Sequence, residues 1–241
     1  MAIQAHRPSA RSLPCSLTLR AAWLSCLVVI SCLCAAGPAN AHVPDPMARL
    51  ASKQYGETAA ATVRAWRAMI EETRAQPDHI KLQRTNDFIN GRIRFESDLA
   101  VWQEADHWAT PLELFGKQAG DCEDFAITKY VTLRAQGIPA EKLRLVYVRA
   151  RIGAGNGNPG QAHHMVLGYY ETPAAEPLIL DNLVGEILPA GRRPDLFPIF
   201  SFNHEGPRAR EATQPSADAT ARLSRWRGVL ARMRGEGLDL S

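Results

Sequence analysis

The chain has 241 residues, with 28 Lys+Arg against 25 Asp+Glu, and it shows no repeat of fixed period and no low-complexity tract. Three of the bases and none of the acids fall in residues 1–41, so residues 42–241 balance 25 against 25 and the charge favours no class of partner. Those 200 residues suit one domain with a real core, by the soft rule of roughly 100 to 200 residues per domain.

The first element predicted is a secretory leader. Arg7, Arg11 and Arg20 precede the apolar run Ala21 to Ala36, which is shorter than the roughly 20 residues a membrane-spanning helix needs. Ala39-Asn40-Ala41 then forms an A-x-A cleavage site, so the mature chain is expected to begin near His42, in the periplasm. A rival signal, Val29-Ile30-Ser31-Cys32, loosely resembles a lipid-attachment site. From Pro46 to about Ala75, Met47, Leu50, Tyr55, Ala59, Val63, Trp66 and Ile70 recur at helical spacing until Pro77. A second helix carries Leu82, Phe88, Ile89 and Ile93, and a loop with Trp102 and Trp108 follows. A third helix starts at Cys122 and ends at Gly137, ahead of Pro139. Strand-like runs come next, over Leu143–Ala150, His164–Tyr170 and Leu178–Asp181. Helices first and strands second read as α+β with a mainly antiparallel sheet. Gly206 to Asp218 reads as a linker, and Ala219 to Arg234 returns to helical spacing. The expected division is therefore a leader at 1–41, a main domain at 42–205, and a linker with a C-terminal helix at 206–241.

Removal of the leader would take Cys15, Cys26, Cys32 and Cys34 with it and leave Cys122 as the one thiol. A single cysteine in an exported protein is unusual, since such proteins pair their cysteines or lack them. Cys122 follows Asp121, a good N-cap, and precedes Glu123 and Asp124 in the first helical turn. A helix N-terminus lowers a thiol pKa, whereas three flanking carboxylates raise it, so a positive group is expected nearby. A nucleophilic cysteine also needs a base and a group to orient that base. Of the histidines, only His163 and His164 open a strand, and alternation sets them on opposite faces, His164 with Val166 and Gly168. Asp181 ends the next strand and is the matching acid. The order Cys, His, Asp on helix, strand and strand points to acyl-transfer chemistry. An oxyanion donor is expected from the Cys122 backbone N–H, with Trp108 or Gln118 as side-chain candidates.

The stretches "DHWATPLELFGKQAGDCEDFAITKY", "GIPAEKLRLVYVRA", "AHHMVLGYY", "LILDNL" and "RPDLFPIFSFN" cover most of residues 80–203. Together, and in this order, they resemble the bacterial transglutaminase-like cysteine proteases of the LapG type. The resemblance implies a papain-like α+β fold with Cys122 as nucleophile, His164 as base and Asp181 as orienting acid. It implies calcium bound by acids beside the nucleophile, here Asp121, Glu123 and Asp124. It further implies a large surface adhesin as substrate, cut at paired alanines, and sequestration by a LapD-like inner-membrane receptor that responds to cyclic di-GMP. The same triad also serves transglutaminases and amidases, and a non-catalytic binding module is the third class weighed.

Two other features point elsewhere on their face. Gly155, Gly157 and Gly160 match G-x-G-x-x-G, but Pro159 interrupts and a strand follows where a dinucleotide site needs a helix, so the stretch reads as a hairpin connection. Arg208, Arg210, Arg222, Arg225, Arg227, Arg232 and Arg234 suggest nucleic acid, yet Glu205, Glu211, Asp218 and Glu236 interleave with them. A solvated helix face or a docking surface is the expected role.

Overall fold

The computed structural model describes residues 45–152, 160–207 and 217–240. The expected leader, most of the glycine-rich stretch and most of the expected linker lie outside the described residues. The helix expected over Pro46 to Ala75 is two helices, α1 (Pro46–Tyr55) and α2 (Glu57–Thr73). Gly56 separates them at φ +88°, a conformation that side-chain-bearing residues avoid. From α2, Ala59, Ala60, Val63, Trp66, Met69 and Ile70 point inward at intervals of three and four. Helix α3 (Asp78–Arg92) follows, and then a two-residue strand β1 (Arg94–Phe95).

The expected loop around Trp102 and Trp108 holds two short helices, α4 (Asp98–Trp102) and α5 (Pro111–Lys117). The start of α5 was written in the sequence. The Thr110 hydroxyl accepts from the Glu113 N–H, and the Glu113 carboxylate accepts from the Thr110 N–H, a reciprocal cap with Pro111 at the first helical position. Strand β2 (Ala119–Gly120) pairs in parallel with β1 and runs directly into α6 (Cys122–Ala135). Every residue of α6 from Glu123 to Leu133 is buried, so this is the central helix of the molecule rather than an amphipathic surface one. It packs between α3 and α5 and the strands β3 and β4. Gly137, at φ +89°, ends it as expected.

The main sheet is fully antiparallel, built from β3 (Leu143–Ile152), β4 (Gly160–Tyr169), β5 (Leu178–Leu180), β6 (Leu188–Pro189), β7 (Leu196–Asn203) and β8 (Gly206–Pro207). Its spatial order is β6-β5-β4-β3-β7-β8. Strand β7 was not among the expected runs because Pro198 interrupts it. The register shifts between Tyr147 and Val148 of β3, where Pro198 pairs Val148 and Phe200 pairs Tyr147, so Ile199 is an extra residue at a bulge that accommodates the proline. One face of the sheet, with Leu145, Tyr147, Met165, Leu167, Leu180 and Phe202, joins the helices in the main core. The other face carries a smaller cluster of Val146, Val148, Ala150, Val166 and Ile179.

The C-terminal helix α7 (Ala217–Gly235) buries Trp226, Val229 and Met233 in the main core. The Trp226 indole donates to the Asn203 carbonyl at 3.1 Å and packs edge-on to Tyr130 of α6. The C-terminal helix is therefore an integral layer of the domain. None of the described helices is long and apolar enough to cross a membrane.

Candidate active site

Strand β2 delivers Cys122 to the first position of α6, and Asp124 reaches back with Oδ2 to the Asp121 N–H at 3.3 Å. The other Asp124 oxygen accepts from the Ala109 N–H at 2.7 Å, tying the segment before α5 to α6. There is no room at Gly120 for a side chain, because a Cβ would lie 2.5 Å from Asp124 Oδ2 and 2.6 Å from Leu114 Cδ1.

The expected acid and base meet. His164 Nε2 lies 2.8 Å from Asp181 Oδ1, with both side chains buried. Leu180 pairs Leu167, so Asp181 at the end of β5 has the same parity as His164 three residues upstream of Leu167. The backbone of Met165, the residue after His164, hydrogen-bonds to the Cys122 sulfur, which places the thiol against β4 beside the histidine. His163 lies on the opposite face, as alternation requires, and stacks on Tyr147 at 5.3 Å.

Asp181 has a partner that sequence reasoning missed. Arg193 donates to Asp181 Oδ2 at 2.7 Å and grips Asp195 with Nε and Nη2, while the Leu183 N–H donates to Asp181 Oδ1 at 3.0 Å. Burial works to raise the Asp181 pKa, but the bonds from His164, Leu183 and Arg193 outweigh it and bring it down to about 2. Arg193 opens the stretch "RPDLFPIFSFN" in the sequence, but nothing in its spacing marked it as a partner of Asp181. Only the return of the chain from β5 through β6 brings it back to the acid.

The thiol donates to Glu123 Oε2 at 2.6 Å, and no hydrogen bond joins it to His164 among the described residues. Burial, with the Glu123 and Asp121 carboxylates, pushes the Cys122 thiol well up. The positive group expected beside it comes in part from α7. Arg222 Nη1 lies 3.9 Å from Glu123 Oε1 while its guanidinium stacks 3.6 Å above the Tyr147 ring. Arg225 pairs with Asp106 at 2.9 Å, and Arg232 pairs with Glu113 at 3.3 Å. Arg222 thus faces an acid of the site, Arg225 pairs with an acid between α4 and α5 and Arg232 with one in the first turn of α5, and Arg227 and Arg234 are exposed as a solvated face would have them.

The acids themselves fall into two overlapping groups. Asp121, Cys122 and Glu123 converge in one, and Asp98, Asp121 and Asp124 in the other, with ligand atoms within 4.8 Å of one another. Asp98 was not foreseen, since it lies on α4, more than twenty residues upstream. It accepts the His107 N–H at 2.6 Å through Oδ2, while Asp98 Oδ1, Asp121 Oδ1 and Asp106 Oδ1 are buried without a partner among the described residues. Burial pushes Asp98 up to about 6, and burial with the charges of Glu123, Asp124 and Asp98 pushes Asp121 up to about 10. Asp124 is pushed up too, chiefly by burial. Orphaned, hard carboxylate oxygens that destabilise one another fit an oxygen-seeking divalent cation.

Of the two side-chain oxyanion candidates, Gln118 spends its amide on Thr62 Oγ1 at 3.4 Å. The Trp108 indole N–H is buried without a partner among the described residues, and its ring stacks on Phe202 at 6.1 Å.

Residues 44–194 match a family model described as bacterial transglutaminase-like cysteine proteinase. Among solved structures, Legionella pneumophila LapG is similar at 37% identity and a TM-score of 0.63, covering 78% of this chain and 95% of that one. An EGTA-treated form of the same protein gives the same figures. The calcium-bound form, also at 37% identity, gives a TM-score of 0.62 over 78% of this chain and 97% of that one. A search of curated proteins finds no match.

Proposed function

The chain belongs to the bacterial transglutaminase-like cysteine proteinases and has their fold, and from that premise we propose that Cys122, His164 and Asp181 are the triad of a calcium-dependent periplasmic endopeptidase. The observation that carries this reading is the buried 2.8 Å bond between His164 Nε2 and Asp181, on the residue next to the backbone that hydrogen-bonds to the Cys122 sulfur. With Nε2 engaged, Nδ1 is the nitrogen left to exchange a proton with the thiol. Asp181, kept ionised by its bonds from His164, the Leu183 N–H and Arg193, fixes that tautomer and steadies the imidazolium that forms. The Cys122 thiolate attacks the peptide carbonyl, and the Cys122 backbone N–H and the Trp108 indole donate to the developing oxyanion. His164 then protonates the leaving amine, and afterwards takes a proton from the water that hydrolyses the thioester.

Asp98, Asp121, Asp124 and Glu123 are the residues that would hold calcium, the ion named in the LapG structure. When bound, it supplies the positive charge that cancels the carboxylate field beside the thiol. The substrate in this reading is the N-terminal region of a large surface adhesin, cut near paired alanines so that the adhesin is released and the biofilm disperses. Activity is withheld by a LapD-like inner-membrane receptor responding to cyclic di-GMP. The test is to mix residues 42–241 with an adhesin N-terminal fragment containing a double-alanine site, in calcium or in excess chelator, beside Cys122→Ala. Cleavage that needs both the thiol and calcium supports the proposal. Cleavage indifferent to chelator removes calcium from it, and an intact fragment in calcium removes that substrate.

A further inference from the structure

The pairing of β1 with β2 leaves one residue of β1 facing outward. The Arg94 N–H donates to the Gln118 carbonyl at 3.1 Å and the Glu96 N–H to the Gly120 carbonyl at 2.9 Å, so both of those backbones turn toward β2. Successive residues of a strand direct their backbone groups to opposite edges. The N–H and C=O of Phe95 therefore point away from β2, along an edge to which no other described strand is added. Neither group makes a hydrogen bond with the described residues. One donor and one acceptor on a single residue are what an extended peptide engages when it adds a strand to a sheet edge.

The position of that edge gives it a use. Phe95 lies directly opposite Gly120, two residues before Cys122. With strands about 4.8 Å apart, a chain laid on the outer edge of β1 lies about two strand spacings from the stretch that delivers the thiol. Three exposed apolar side chains lie on segments that carry residues of the site. Of the five large ones among the described residues, Phe95 at 56% and Leu99 at 69% belong to the segment that also carries Asp98. A third, Leu183, is anchored by its N–H to Asp181. Single exposed apolar residues need no explanation, but three of five on segments that build one site do.

We propose that the extended polypeptide substrate adds to the free edge of β1, its backbone bonded to the N–H and C=O of Phe95 and its apolar side chains resting on Phe95 and Leu99. This rests on the protease reading and assigns part of the substrate-binding surface to that site. The occupant is the substrate because the edge is continuous with the strand pair that ends at the nucleophile.

The experiment measures alkylation of Cys122 by an acetyl-Leu-Leu-Ala-Ala chloromethyl ketone and by a set of the same peptide methylated on one backbone nitrogen at a time. Each rate is divided by the rate with iodoacetamide, which needs no strand pairing. In the unmodified protein, methylation at one position or more is expected to lower the ratio about tenfold, the effect of roughly one lost hydrogen bond to a positioned partner. Phe95→Pro, which lacks the outward N–H that would donate to a peptide carbonyl but keeps its C=O, should lower the ratio for the unmethylated peptide by a similar factor. Leu99→Gln should lower it about threefold through lost apolar contact. The proposal is overturned if the unmodified protein labels every methylated peptide as fast as the parent, an arm that depends on no variant folding, or if Phe95→Pro gives the same ratio for the unmethylated peptide as the unmodified protein. Cleavage of the adhesin fragment without methyl discrimination would sink the edge and leave the protease standing. Discrimination with an intact adhesin fragment would leave the edge standing and remove that adhesin as the substrate.

Discussion

At Asp181 a carboxylate buried on all sides accepts from His164, Arg193 and a backbone N–H, and the outcome is an acid held ionised down to about pH 2. Replacing it as Asp181→Asn keeps the volume but removes the charge that fixes the histidine tautomer. Peptide cleavage is expected to fall by about three orders of magnitude in kcat, with KM little changed; a variant within tenfold of the parent would remove Asp181 from the triad. The acids around Cys122 carry the opposite sign. Asp98 and Asp121 have folded pKa values raised to about 6 and about 10, so what they contribute to stability is full below the ordinary carboxylate range near 4 and is lost as pH rises through those values. A cation needs them ionised and offsets that loss. The difference in Tm between calcium and chelator is therefore predicted to be small at pH 4 and to widen steadily to pH 7, and a difference independent of pH would contradict the assignment.

Helix α6 does two jobs at once, presenting Cys122 at its first turn and filling the centre of the core with the rest. The cost shows at Lys129, which is 0% exposed with Nζ unpartnered among the described residues. Burial brings its pKa down to about 7 against the attraction of Asp181. Its folded pKa lies below the unfolded one, so the destabilisation is full below pH 7 and fades as pH approaches 10. Lys129→Met is accordingly expected to raise the urea midpoint at pH 6 more than at pH 9. Equal gains at both pH values would show that the folded and unfolded chains bind the same protons over that range, and so that folding does not lower the Lys129 pKa.

Across the whole molecule, α7 closes the core and lends Arg222 to the site. The family match ends at residue 194, yet Trp226, buried at 2% exposure, packs against Tyr130 and Phe202, and Arg222 stands beside Glu123. Trp226→Ala is predicted to cost about 3–5 kcal/mol in equilibrium unfolding, the usual cost of emptying so large a buried site. A loss below about 1 kcal/mol would mean that α7 is an appendage.

By itself the sequence determined the fold class, the helix that begins at Cys122 and the strand parity that sets His164 against Asp181. Each of these follows from short-range rules, namely capping residues, a period of 3.6 or 2, and the alternation of side chains. It also showed that Cys122 sits among too many carboxylates to stand without a positive partner. The break at Gly56, the strand interrupted by Pro198 and the reciprocal cap of Thr110 were local signals too, legible in principle and outweighed by a longer periodicity or a breaker residue. Tertiary structure alone decided the rest. Asp98 joins Asp121 and Asp124, Arg193 turns back onto Asp181, and Arg222 crosses about a hundred positions to reach Glu123. These contacts depend on where separate elements come to lie around the central helix, and packing of that kind leaves no period in the chain to read.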